Sequence, residues 1–393
     1  MNSNISKMHS LLIIISLLAV NIVEQAASVV TGTIPGMAKS FPNESLVDIE
    51  MVTTVVSIFV TIFVLVSGAV VKIIGQKKTA VLGLLIATIA SVVPGFSNSF
   101  IIILISRAVL GIGIGLANPL AISMIGLFFE GDQRARLMSW RSAIAGIGTA
   151  IMTYVAGKLL YINWQASYWV YLLFVPTLIM FLIFVPDVEQ ESNSHLQKAP
   201  QVYSESKDDS WLLITILALI TFLVMTVVMV LAVKLPTYFI ESKIGSATQA
   251  STSWSIVNFA GVLGGFLFGP CYKLMKKNVL PLGLLLGGIG IVLISVIESV
   301  TIIYIICVFI GISSSLIVPY IFNTISEKFS RIKAPFFTSI VLVGFNLGAS
   351  FSPYSGRILG ATAKIAIRNA GLIEVILAVI ILVVYLKNKK QYK

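Results

Sequence analysis

A thirteen-residue string, Arg107-Ala-Val-Leu-Gly111-Ile-Gly113-Ile-Gly115-Leu-Ala-Asn118-Pro119, returns about 200 residues later as Cys307-Val-Phe-Ile-Gly311-Ile-Ser313-Ser-Ser315-Leu-Ile-Val-Pro319. Three small-residue positions and the proline coincide. Lys77-Lys78 returns as Lys276-Lys277, and Pro35 as Pro236. The mean hydropathy is +0.99. A repeat of half the chain at that hydropathy predicts two similar membrane-embedded halves.

Composition agrees. Hydrophobic residues make up 57% and charged residues 11%, against about 25% charged in ordinary soluble domains. A soluble chain this apolar has nowhere to hide its surface. The net charge of +11 would suggest nucleic acid in a soluble protein, but the positions of the cations favour topology instead. Cys271 and Cys307 lie in apolar runs, where a thiol acts as a small hydrophobe. With His9 and His195 in polar flanks, neither a disulfide framework nor a metal site is expected. Lys7 and the apolar run from Leu11 resemble a signal peptide, but the run continues to about Ile34, so a retained first helix is expected.

A bilayer crossing takes roughly 20 apolar residues. Twelve such runs are read: 10–34, 50–72, 79–97, 100–128, 137–160, 167–185, 211–234, 251–273, 279–298, 301–323, 335–356 and 367–386. The expected fold is an all-α integral membrane protein of twelve helices. Its parts are a first six-helix bundle (1–186), a polar linker (187–210) and a second six-helix bundle (211–393). With both termini and the linker on one side, that side carries 19 Lys and Arg, the other carries 7, and Arg107 lies inside a span. Such a bias places the termini in the cytoplasm. All five tryptophans fall near span ends, as an interfacial belt predicts.

Twelve spans, a six-plus-six repeat and a polar centre resemble the major facilitator superfamily over nearly the whole chain. Gly68-Ala-Val-Val-Lys72-Ile-Ile-Gly75-Gln76-Lys77-Lys78 resembles that family's G-x-x-x-D-R-x-G-R-K gating loop, with Lys72 at the aspartate and Ile73 at the first arginine. Arg107-x-x-x-Gly111-x-Gly113 resembles the R-x-x-Q-G-x-G motif of proton-coupled members, with Leu110 at the glutamine. In the fifth span an antiporter motif is reduced to Gly148 and Gly157, with Met152, Thr153 and Ala156 at its other positions. The resemblance is to the bacterial twelve-span drug/proton antiporter and metabolite-exporter branch. It implies alternating access in the plasma membrane, and a small-molecule substrate, protons and membrane lipid as partners. A monomer is expected, with neither nucleic acid nor a cofactor.

Among ionisable residues Glu24 stands out. It lies about 13 residues, roughly 20 Å, along the first span, and reads as the only carboxylate deep in a span. Charge at that depth is costly and functional by default. The bland alternative is a structural partner for another helix. Asn21, at i−3, shares its face. Arg107, about 10 Å inside the fourth span, is the second candidate for proton coupling; its alternatives are packing or snorkelling outward. A Glu24–Arg107 contact stays open. Candidate substrate contacts are Asn21, Glu24, Gln25, Asn118, Tyr238, Trp254, Asn258 and Asn346. Lys234 and Glu298 read as interfacial. Gly111, Gly113, Gly115, Gly261, Gly264, Gly265 and Gly269 read as helix-packing glycines.

Three readings compete. One is a secondary exporter exchanging a small amphiphilic molecule or drug for protons. The second is a symporter or uniporter of a polar metabolite, kept open by the reduced motif in the fifth span. The third is a transporter-like receptor that moves nothing, suggested by Lys72. No nucleotide loop or nucleophile–base set appears, so an enzyme is not expected.

Overall fold

The computed structural model describes residues 7–129, 131–187, 211–329 and 334–390. Most of the expected linker lies outside these. Fourteen α-helices run in order among the described residues: α1 (Lys7–Glu24), α2 (Ala26–Val29), α3 (Ile34–Ser40), α4 (Leu46–Ile74), α5 (Gln76–Val92), α6 (Phe100–Phe128), α7 (Gly131–Leu159), α8 (Phe174–Phe184), α9 (Trp211–Glu241), α10 (Ala247–Met275), α11 (Val279–Ile294), α12 (Val300–Lys328), α13 (Ala334–Leu359) and α14 (Ala363–Lys390).

Ten segments are long and apolar enough to cross a bilayer, and the pair Ser10–Glu24 and Ala26–Ser40, bent by 55°, makes eleven. One segment, Ala247–Ile294, has 48 residues, roughly 72 Å of helix, twice what a bilayer core of about 30 Å needs. Its two parts, α10 and α11, cross α12 in opposite senses. Along α10, Val257 meets Gly311 and Gly264 meets Ser315; along α11, Gly283 meets Ile317 and Gly290 meets Ile310. The chain therefore reverses at Lys276, where φ is +48°, and the twelve expected crossings are present. The outer surface is apolar: Leu65 is 72% exposed and Phe266 70%, tolerable only in lipid.

The halves are built alike. Ser45 caps α4 and Ser246 caps α10, each accepting from a backbone N–H three residues on. A Cβ on Gly111 would lie 2.5 Å from the Val56 carbonyl of α4. A Cβ on Gly311 would overlap the Val257 carbonyl of α10. Gly113 faces the other way, where its Cβ would lie 2.6 Å from Gly83 O of α5. The alternating glycines thus let α6 sit against α4 and α5 at backbone distance, where close van der Waals packing helps to hold helices together in lipid. Gly264 does the same against Ile312. Gly265 and Gly269 have no neighbour within 4 Å, so they are not packing glycines as expected.

A further expectation fails. Trp164 and Trp254 are 7% and 3% exposed and belong to the protein interior, not an interfacial belt. The fifth span, Arg136–Leu159, lies where it was expected, although α7 is helical from Gly131.

Candidate functional site

The first crossing breaks where its repeat partner does not. α9 runs unbroken through Pro236, whereas α1 stops at Glu24 and a 3-10 turn covers Thr31–Thr33. Thr31-Gly32-Thr33 stand where the second half has Ala232-Val233-Lys234. A break inside a membrane frees backbone carbonyls, which neighbouring side chains must satisfy. Arg107 does so. Its Nη2 donates to the carbonyls of Ala27 at 3.1 Å and Ala26 at 3.4 Å, and its Nε to Val52 O of α4 at 2.9 Å. Tyr171 donates its hydroxyl to Ala26 O. The guanidinium lies 5.9 Å and 5.7 Å from the ring centroids of Tyr168 and Tyr171, within cation–π reach. Arg107 is fully buried. It neither snorkels nor bonds Glu24.

Glu24 instead pairs with Arg141 of α7, Oε2 to Nη2 at 2.8 Å. The same guanidinium donates Nε to Asn21 Oδ1, and Nη2 also reaches Asn118 Oδ1 at 3.3 Å. Asn21 is further fixed by donating Nδ2 to Leu18 O at 3.0 Å. Three expected residues, Asn21, Glu24 and Asn118, thus converge on a fourth from α7. The side chains of Arg141 and Glu24 are 21% and 24% exposed. A pair this accessible can exchange partners, which a fully sealed pair cannot do cheaply.

Arg141, at the start of the fifth run 137–160, is one of the 19 cations counted above on the cytoplasmic side. The polar run 130–136 hid it, since a helix entering the bilayer early keeps its first turns polar. The usable signal was the need of Glu24 for a cation. Two more buried acids were missed. Glu50 of α4 is 0% exposed and Glu374 of α14 2%, so Glu24 is not the only deep carboxylate. The Glu374 oxygens have no hydrogen-bond partner among the described residues, and the side chain packs beside Gly287 of α11. Lys234, expected at the interface, is 5% exposed, with Nζ 2.8 Å from Glu50 Oε1. An isolated lysine 23 residues into an apolar run was the sign of a buried partner.

The remaining expected residues are scattered. Gln25 stands half-buried at the break, before α2. Tyr238 is in the second-half core, donating to Ile294 O at 2.9 Å. Trp254 is buried with its indole nitrogen unpartnered among the described residues. Asn258 and Asn346 turn back on their own helices, to Trp254 O and Leu342 O. In the loop between α4 and α5, Gly75 takes φ +84°, which glycine adopts without steric cost. Gly68 has open space, Lys72 and Lys78 are exposed and Lys77 is half-buried.

The halves meet at the end away from the termini, here the far end. Ser255 Oγ of α10 donates to Ala150 O of α7 at 2.5 Å, and Ser350 Oγ of α13 is 3.4 Å from Thr54 O of α4. Gly32 and Gly157 close on Ser251, and Tyr354 meets Met51. The Glu50–Lys234 pair lies on the same seam.

Two similarly built sets of membrane-crossing helices, with a partly exposed polar cluster inside the first, define a polytopic membrane protein. The chain matches the Major Facilitator Superfamily over residues 15–353 and 217–393, and it belongs to that family. It is 30% identical over 162 residues to the multidrug transporter protein MdtP of Bacillus subtilis (strain 168), covering 40% of this chain and 29% of MdtP. The matched stretch therefore spans under a third of that relative. Among solved structures, the inward open xylose transporter XylE from E. coli superposes with a TM-score of 0.73 at 13% identity, over 95% of each chain. An inward-facing, occupied bacterial homolog of the human lysosomal transporter Spinster gives 0.72 at 16%, over 98% of each. At these identities the likeness is one of fold.

Proposed function

We propose that the chain is a proton-coupled secondary transporter that exports small amphiphilic molecules or drugs by alternating access. Residues 1–186 and 211–393 would be its two moving bundles, in the plasma membrane with both termini cytoplasmic. The observation that carries this is the half-exposed Glu24–Arg141 pair with Asn21 and Asn118 around it. Arg141 occupies Glu24 only while no better partner is present. A proton or a cationic substrate competes for the same carboxylate, and the two flows are coupled through that competition.

The repeat supports an amphiphile. An offset of 201 carries Asn21 and Glu24 onto Phe222 and Met225, and one of 200 carries Asn118 and Arg141 onto Val318 and Val341. Every member of the polar cluster has an apolar counterpart, so one bundle offers charge and hydrogen bonds and the other offers hydrocarbon. The similarity to MdtP, a multidrug transporter protein, agrees with this substrate class.

Glu24→Gln keeps the shape and mimics the protonated acid. In proteoliposomes with an imposed pH gradient it is expected to retain downhill exchange and lose concentrative transport. A variant that still concentrates substrate on the proton gradient alone returns Glu24 to a structural role. A substrate panel of cations, neutral compounds and anions in the same vesicles separates export from symport of a polar metabolite.

A further inference from the structure

The Glu50–Lys234 pair brings charge to a far end otherwise closed, among the contacts described above, by uncharged groups. Its partners, from α4 and α9, are both buried. The repeat explains what is unusual about it. The offset of 201 that matches the caps Ser45 and Ser246 carries Glu50 onto Ser251 and Lys234 onto Thr33. The seam therefore has two equivalent positions, related by exchange of the halves. At one, Ser251 packs against Gly32, next to Thr33, through small side chains. At the other stands an ion pair. The neighbouring seam contacts repeat in the same way: Thr54 with Ser350 corresponds to Ser255 with Ala150. A packed contact was sufficient at the mirror position, so closure alone does not require charge.

We propose that Glu50 is a second proton-binding site, whose protonation releases Lys234 and unlocks the far end of the seam. This rests on the transporter reading, since it needs the halves to separate there. Glu50 lies four residues into α4, roughly 6 Å from the helix start, close to far-side water. It takes one proton from that water and becomes neutral. Lys234 keeps its protons and loses its counter-ion. A buried cation without a partner is strongly disfavoured, and opening the seam is the movement that returns it to water. The other charged group acting on Glu50 is the Glu241 carboxylate, at the end of α9. Arg107 donates to the backbone of α4 at Val52. The methylene beside Nζ of Lys234 packs at Gly356 of α13, so the released side chain must pass that helix. The Oε2 of Glu50 has no hydrogen-bond partner among the described residues, leaving it open to a proton.

The test reads the seam directly and uses no substrate. Cys271 and Cys307 are changed to serine, and nitroxide labels are placed at Asn43 and Thr362, exposed far-end positions in opposite halves. Distances are measured by pulsed electron paramagnetic resonance in lipid nanodiscs from roughly pH 7.5 to pH 5, a range in which buried carboxyls titrate. The expected result is a longer-distance population that grows severalfold on acidification. Glu50→Gln and Lys234→Met should each show that population at neutral pH and no longer respond to acid. The double variant Glu50→Gln/Lys234→Met buries no lone charge, and should be closed and unresponsive. A parent protein that does not open in acid overturns the proposal. So does a double variant that keeps the parent's response, even if the single variants fail to fold. Transport by Glu24→Gln reports on the export reading separately, so the two can fail independently.

Discussion

At the scale of single residues, the chain solves one problem twice with different means. The break after Glu24 frees the carbonyls of Ala26 and Ala27, and a buried arginine and a tyrosine hydroxyl are brought to them. Leaving such acceptors unmade costs about 1–3 kcal/mol each. Tyr171→Phe should therefore lower stability by about 1 kcal/mol. Arg107→Ala, which also empties a buried volume, should lower it by about 3 kcal/mol or more. Arg107→Lys should fall between, because an ammonium cannot span α4 and the break as a planar fork does. Thermal unfolding of the detergent-purified protein checks this series. An unchanged midpoint for Arg107→Ala would remove it from the support of the break and restore a role in coupling alone.

At the scale of helices, the glycines separate into those that touch and those that do not. Gly113→Ala would place a methyl 2.5 Å from Ala87 N, an overpacking worth about 1–3 kcal/mol. Gly265→Ala meets open space and should stabilise by about 0.5–1 kcal/mol through helix propensity. Opposite shifts in unfolding midpoint are expected, and equal shifts would mean that α6 does not depend on close approach to α5. The string 111–115 was legible as a packing stripe because its echo at 311–315 repeats both spacing and partner helix. Gly265 and Gly269, four apart, also suit close packing but have no partner, and spacing alone does not say which face of a helix meets another. Arg141 and Lys234 were misread for a related reason. Charge near a span end looks interfacial until the facing helix is known, and the facing helix of Lys234 belongs to the other half. The bend in the first crossing was equally hidden, since Pro35 and Pro236 suggest like behaviour while the chain leaves the α-helix at Gln25 and again over Val30–Thr33.

At the scale of the whole molecule, six crossings per half bring both termini to the same end. The bias of 19 cations to 7 is the support for the proposal that this end is cytoplasmic. In a cysteine-free background, an impermeant thiol reagent added outside intact cells should label Thr362→Cys and leave Lys387→Cys untouched. The reverse pattern would invert the orientation and, with it, the side from which Glu50 takes its proton. The helical crossings were legible in the sequence because apolar length is a local property, whereas the burial of Glu50 and Glu374 depends on which helices face them. The seam was not legible, since it joins residues some 90 to 300 positions apart.

The two ion pairs among the described residues are each electrically neutral as units. Arg107 is in neither, and is held by carbonyls and rings. One positive charge therefore stays fixed to the first half inside the low-dielectric slab. Whatever path that half follows as it rocks, displacement of this charge along the membrane normal is electrical work. A full crossing corresponds to about 2.3 kcal/mol per 100 mV, and a partial one to the same fraction of that. A residue whose contacts look purely architectural thus couples the scaffold to the membrane voltage.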